Sequence, residues 1–151
     1  MKKIYLLFTL FFLMFLCNCK KENFIVIEGV EPISFECLTP IKEHQIIDNE
    51  DDYQLFLAEY KDTNLNCPNY ISPVIDFTQK TLVGQYIEAT ACSHSSISEV
   101  FADPSQKRYI YQLQVKLDGD CEIAFEKIVW ISVPKLPDNY TVKFEAIYER
   151  I

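Results

Sequence analysis

Glycine is scarce in this chain of 151 residues, which has three: Gly29, Gly84 and Gly119. A phosphate-cradling loop needs several glycines within a few positions, so nucleotide sites of that kind are excluded. Histidine is scarcer still. Only His44 and His94 are present, so the usual general base and metal ligand has two places at most. Positive charge is outweighed, with 14 Lys+Arg against 22 Asp+Glu and a net charge of −8. No Lys/Arg cluster is interleaved with aromatics, and an acidic chain offers no cationic face to phosphates, so nucleic acid is excluded as a partner. The acidity serves solubility and steers basic partners toward the chain. No motif for a cofactor is present.

Long apolar runs are missing too, with one exception at the start. Lys2 and Lys3 precede Ile4 to Leu16, thirteen residues without a charge. A membrane-spanning helix needs ~18 or more, whereas a basic start and a run of this length fit a cleavable secretory signal. The run ends Leu16-Cys17-Asn18-Cys19-Lys20-Lys21-Glu22. This resembles a bacterial lipobox, in which an aliphatic residue stands at −3, a smallish one at −1, and the cysteine at +1 is acylated. Cys19 meets the pattern with Leu16 and Asn18, whereas Cys17 would place bulky Leu16 at −1. The expected organisation is a lipoprotein signal over 1–18, a lipidated tether over 19–23 and one folded domain over 24–151. Lys20-Lys21-Glu22 is similar to the charged tether that routes Bacteroidetes-type lipoproteins to the outer membrane. The acyl chains of a mature lipoprotein would hold the domain in the cell envelope.

Removing Cys17 and Cys19 leaves Cys37, Cys67, Cys92 and Cys121. An exported domain sits in an oxidising compartment, so two disulfides are expected, with three connectivities open in principle. Cys92 follows one predicted strand and Cys121 opens another, which favours Cys92–Cys121 and leaves Cys37–Cys67. A metal site on Cys92, His94 and Cys121 is disfavoured, because a tetrahedral zinc site wants two tight ligand pairs and only one short pair exists.

The domain reads as mainly β, or α+β. Phe24 to Ile27 and Gln45 to Ile47 are expected strands. Asp48 or Asn49 would cap a helix over roughly 50–61, with acids in its first turn and Tyr53, Phe56, Leu57 and Tyr60 recurring at i, i+3, i+4 and i+7. Asp62 to Pro73 has the composition of a loop. Period-2 alternation follows from Thr81, and most clearly through Tyr109, Tyr111, Leu113, Val115 and Leu117. Thr90 to Ser98 reads as a polar stretch. Asp118-Gly119 predicts a hairpin turn, and the returning strand from Cys121 is expected to bulge near Glu126-Lys127 before Val129, Ile131 and Val133 face inward. Val142, Phe144, Ala146 and Tyr148 form the last strand. The expected architecture is an antiparallel sheet or small barrel of about six or seven strands with one amphipathic helix packed on it.

Pro73-Val74-Ile75-Asp76-Phe77-Thr78-Gln79-Lys80-Thr81-Leu82-Val83, with Ile46-Ile47 before it and Ile131-Ser132-Val133-Pro134-Lys135 after it, resembles small bacterial lipoproteins of the PrcB type, named for an accessory subunit of a surface protease complex. The resemblance implies a shared architecture. It departs where that family has Gly-Gly-Tyr and this chain has Thr90-Ala91-Cys92-Ser93-His94.

Catalytic chemistry would have to rest on His94, flanked by Ser93, Ser95 and Ser96. Side chains adjacent in sequence rarely take the geometry of a triad, and no Gly-x-Ser-x-Gly motif is present. Trp130 is the candidate binding residue; it either caps the core beneath the helix or forms an exposed platform for a sugar or peptide. The leading expectation is a non-enzymatic envelope lipoprotein that binds or supports another envelope protein. The alternatives are an inhibitor or immunity lipoprotein against a basic hydrolase, and a small hydrolase using His94.

Overall fold

The structure, a computed structural model, describes residues 24–35, 38, 41–60 and 71–151. The signal, Cys19 and its tether, most of the expected loop and the expected Cys37–Cys67 pair lie outside those residues. The described residues form β1 (Ile25–Val26), β2 (Glu31–Ile33), β3 (Gln45–Ile47), α1 (Glu50–Tyr60), β4 (Lys80–Thr90), β5 (Ser93–Asp103), β6 (Arg108–Asp118), β7 (Ala124–Pro134) and β8 (Thr141–Arg150). They make two four-stranded sheets, in the orders β1-β5-β6-β8 and β2-β7-β4-β3. The mainly β class with one helix holds. The sheets stack as an open sandwich and do not close into a barrel.

Alternation explains the inner layer. Tyr109, Tyr111, Leu113, Val115 and Leu117 of β6 all bury against Val83 and Ile87 of β4 and Ile131 and Val133 of β7. At ~25 cal/mol per Å² of apolar surface this layer is the main source of stability. The Tyr111 hydroxyl crosses it, donating to the Val129 carbonyl at 3.2 Å and lying 3.2 Å from Ser98 Oγ. Burial pushes the pKa of that phenol up to about 12.

The helix covers the other face of the β4/β7 sheet. Asn49 is its cap, with Oδ1 accepting from the Asp52 N–H at 2.8 Å, and Glu50, Asp51 and Asp52 occupy the first turn. Tyr53 and Phe56 bury in a second cluster with Ile47, Leu82 and Trp130. Gly84 lies under the Trp130 ring, where a Cβ would come within 2.8 Å of two ring carbons. This glycine is a packing requirement and not a turn.

Four local expectations are corrected. Asp118-Gly119 does not make a hairpin, because β6 is flanked by β5 and β8 while β7 belongs to the other sheet. The turn chemistry is real, since Gly119 has φ +74°, but it starts a passage from one sheet to the other. The hairpin lies instead between β5 and β6 over residues 104–107. There Asp103 accepts from Ser105 Oγ at 2.6 Å and pairs with Arg108 at 3.1 Å. The polar stretch is the first half of β5, paired residue by residue from Ser93↔Asp118 onward. No bulge occurs at Glu126-Lys127, because β4 and β7 pair without interruption from Lys80↔Pro134 to Thr90↔Ala124. Phe125, Lys127, Val129, Ile131 and Val133 keep one face. Lys127 simply occupies an inward position, and partial burial lowers its pKa. Finally, β8 pairs with β6 in parallel, which the crossover through β7 permits.

Candidate functional site

The long β4/β7 ladder has two halves on its outer face. Leu82, Gly84, Trp130 and Ser132 lie toward one end and are covered. Toward the other end, beyond the helix, the register sets Tyr86 opposite Ile128 and Glu88 opposite Glu126. Directly opposed like charges weaken a sheet, because their Cβ atoms stand only ~5 Å apart. Two neighbours relieve the repulsion. The Tyr86 hydroxyl donates to Glu88 Oε2 at 2.7 Å, and Lys42 Nζ lies 2.7 Å from Glu126 Oε2. Glu88 in turn pushes the Tyr86 hydroxyl pKa up to about 12.

Beside Glu126 is a cavity of about 230 Å³ whose lining includes Phe35, Ile41, Glu126, Lys127, Ile128 and Trp130. Trp130 is 4% exposed and packs edge-on against Phe35 and Phe56, each with ring centroids 5.1 Å away. It does not stand out from the surface as a platform. It forms a wall of the cavity, and among the described residues its buried Nε1–H has no acceptor. A buried donor without an acceptor is costly.

Where β3 stops, side chains seal the edge of β4. His44 Nδ1 accepts from the Tyr86 N–H at 3.1 Å, and Arg150 Nη2 donates to the Thr90 carbonyl at 3.4 Å. The His44 ring stacks on Phe144 at 4.2 Å, and burial lowers its pKa.

Cys92 and Cys121 form a disulfide with a Cα–Cα distance of 4.7 Å. It joins the β4–β5 and β6–β7 passages between the sheets, beside the Ala91 N–H to Ile123 carbonyl bond at 3.1 Å and the Cys92 N–H to Asp118 carbonyl bond at 2.9 Å. Gly119 is required here as well, because a Cβ would lie 2.5 Å from Cys92 Sγ. The bridge also commits both thiols of the Cys92, His94, Cys121 set. Among the described residues no group of three His, Cys, Asp or Glu side chains is arranged to hold a metal ion.

The His94 ring stacks on Phe125 at 3.8 Å, nearly parallel, and its pKa is lowered by burial and then by Lys127. Ser93 Oγ donates to Asp118 rather than to His94. The structure therefore sets His94 apart from Trp130, on the opposite face of β7. It brings Trp130 and Glu126 to one cavity and sets Glu88 opposite Glu126, two acids unremarkable until the register is known.

Comparison with known protein families, with curated proteins and with solved structures finds no match for this chain.

Proposed function

We propose that the protein is a non-enzymatic, lipid-anchored envelope module that captures a basic segment of another envelope protein. Cys19 is the acylated residue in this reading, and the outer membrane its location. The opposition of Glu88 and Glu126 beside the Trp130 cavity carries the proposal. A Lys or Arg side chain of the partner would lay its apolar stem along Ile128 and Phe35 and set its charge between the two carboxylates, relieving their repulsion. The net charge of −8 supports the reading by speeding encounter with a cationic surface. An accessory role of the PrcB type fits within this proposal. The paired acids favour one second reading, an inhibitor or immunity lipoprotein that plugs a basic hydrolase.

The test is a pull-down from envelope extract with the full chain and with its Glu88→Gln, Glu126→Gln form, read by mass spectrometry. A salt-sensitive protein retained by the first and lost by the second is expected. Equal retention by both would sink the proposal. Protection of cells from an added lysozyme, lost in the same variant, would select the inhibitor reading.

A further inference from the structure

The sandwich leaves its edges in unequal states. The β4 edge is sealed by His44 and Arg150, and β1, β2 and β3 are short edge strands. By contrast β8 is ten residues long, lies at the edge of its sheet, and pairs only with β6 among the described residues. The Thr141 N–H bonds the Lys107 carbonyl and the Ile151 N–H bonds the Leu117 carbonyl, so odd-numbered residues of β8 face β6. The N–H and C=O groups of Val142, Phe144, Ala146, Tyr148 and Arg150 therefore point away from the sheet along an open edge. Ile147 and Tyr148 on the same strand are 48% and 44% exposed. Long unsealed edges of this kind are templates for another strand.

We infer that this edge pairs with the β8 edge of a second copy of the chain, antiparallel, with Ala146 opposite Ala146 on the two-fold axis. Charge selects both the occupant and the register. Hydrogen bonding requires even residues to face even residues. Centring on Ala146 satisfies this and sets Lys143 opposite Glu149 twice over, with Phe144 opposite Tyr148 on the inner side. Centring on Glu145 would oppose the two Glu145 carboxylates, and centring on Ile147 would oppose Glu145 to Glu149 twice, both repulsive. Centring on Phe144 pairs Lys143 with Glu145 but leaves the C-terminal end of the strand unmatched. Lys143 already contacts Glu145 at 2.7 Å, so in the dimer it would lie between two carboxylates. The selected register offers about ten backbone hydrogen bonds and joins the two sheets into one of eight strands. Among the described residues Ser93 to Glu99 of β5 also lack a second paired strand, but that stretch carries a single full charge and nothing to set a register. The dimer edge belongs to the other sheet, although the Tyr148 hydroxyl reaches the Glu88 backbone. Lys143 and Glu149 lie on the face of β8 turned away from Val142 and Phe144 in the core, so substitutions there leave Glu88 and Glu126 in place and the two proposals stay distinguishable.

Full-length protein in detergent, analysed by sedimentation equilibrium, is expected to show a monomer–dimer equilibrium. Lys143→Glu should raise the dissociation constant at least tenfold, and adding Glu149→Lys should restore it to within about threefold. Ala146→Pro removes an outward N–H without touching the β6 ladder and should leave a monomer. An Ala146→Cys form should cross-link to its copy on oxidation, whereas Val142→Cys should not. Monomer at every concentration would overturn the inference. So would a dimer indifferent to Lys143→Glu, and the charge pair keeps the test decisive should the proline form fail to fold.

Discussion

The two halves of the outer β4/β7 face are made from the same two strands in one unbroken register, yet they are stabilised by different means. The covered half is held by packing, with Tyr53 and Phe56 of the helix over Leu82, Gly84 and Trp130. The open half lies beyond the helix and opposes Glu88 to Glu126. It is secured from outside by the Cys92–Cys121 bridge at its end and by the His44 and Arg150 seals at its edge. Within the open half the opposed carboxylates are offset by the Tyr86 hydroxyl on Glu88 and by Lys42 on Glu126.

The contrast can be broken most strongly in the covered half. Trp130→Ala should cost about 3–5 kcal/mol in denaturant unfolding, because it empties the centre of the aromatic cluster. Gly84→Ala should cost about 1–3 kcal/mol by overpacking against Trp130 and Ile128. In the open half, replacing Cys92 and Cys121 together by Ser should remove about 3–4 kcal/mol, the loop-entropy value for a separation of 29 residues. Hydrogen exchange should then rise first over residues 86–92 and 119–126, leaving the amides beneath the helix protected. A uniform loss of protection would erase the distinction between the halves.

Glu88→Gln sharpens the comparison through its sign. It keeps an acceptor for Tyr86 while ending the repulsion, so the thermal midpoint should rise by about 1–2 °C as affinity for a basic partner falls about tenfold. The smallest effect concerns pH. Burial depresses the folded pKa of His44 below its ordinary 6.5, so its contribution is fully present above that value and is lost as pH falls through the lower folded one. Protection of the Tyr86 amide should decline over that acidic window and become flat in His44→Gln.

The covered half was largely legible in the sequence. The helical spacing of Tyr53, Phe56, Leu57 and Tyr60, the caps available before it, and the alternation along β6 each follow from local periodicity. The pairing of Cys92 with Cys121 followed from their places at strand ends. Non-local facts were not legible. The serines of β5 carry no strand propensity, and that strand exists because β6 offers it a ladder. Asp118-Gly119 has the chemistry of a turn, but which sheet receives the next strand is decided by the neighbours of β6. Lys127 looked like a break in phase because a charge stood at an inward position. Trp130 was recognisable as a residue of interest. Glu88 and Glu126, 38 positions apart in the chain, come opposite one another only through the register.

Trp130 is the single tryptophan of the chain and lines the proposed site, so its fluorescence reports directly on occupancy. The decisive measurement is a titration of the full chain with tryptophan-free, Lys- and Arg-bearing peptides, repeated with Glu88→Gln, Glu126→Gln. A saturable, salt-sensitive change in the Trp130 emission that disappears in the double variant is the predicted result. An emission that no basic peptide alters, or one that changes equally in both proteins, would contradict the assignment of this face as the binding site.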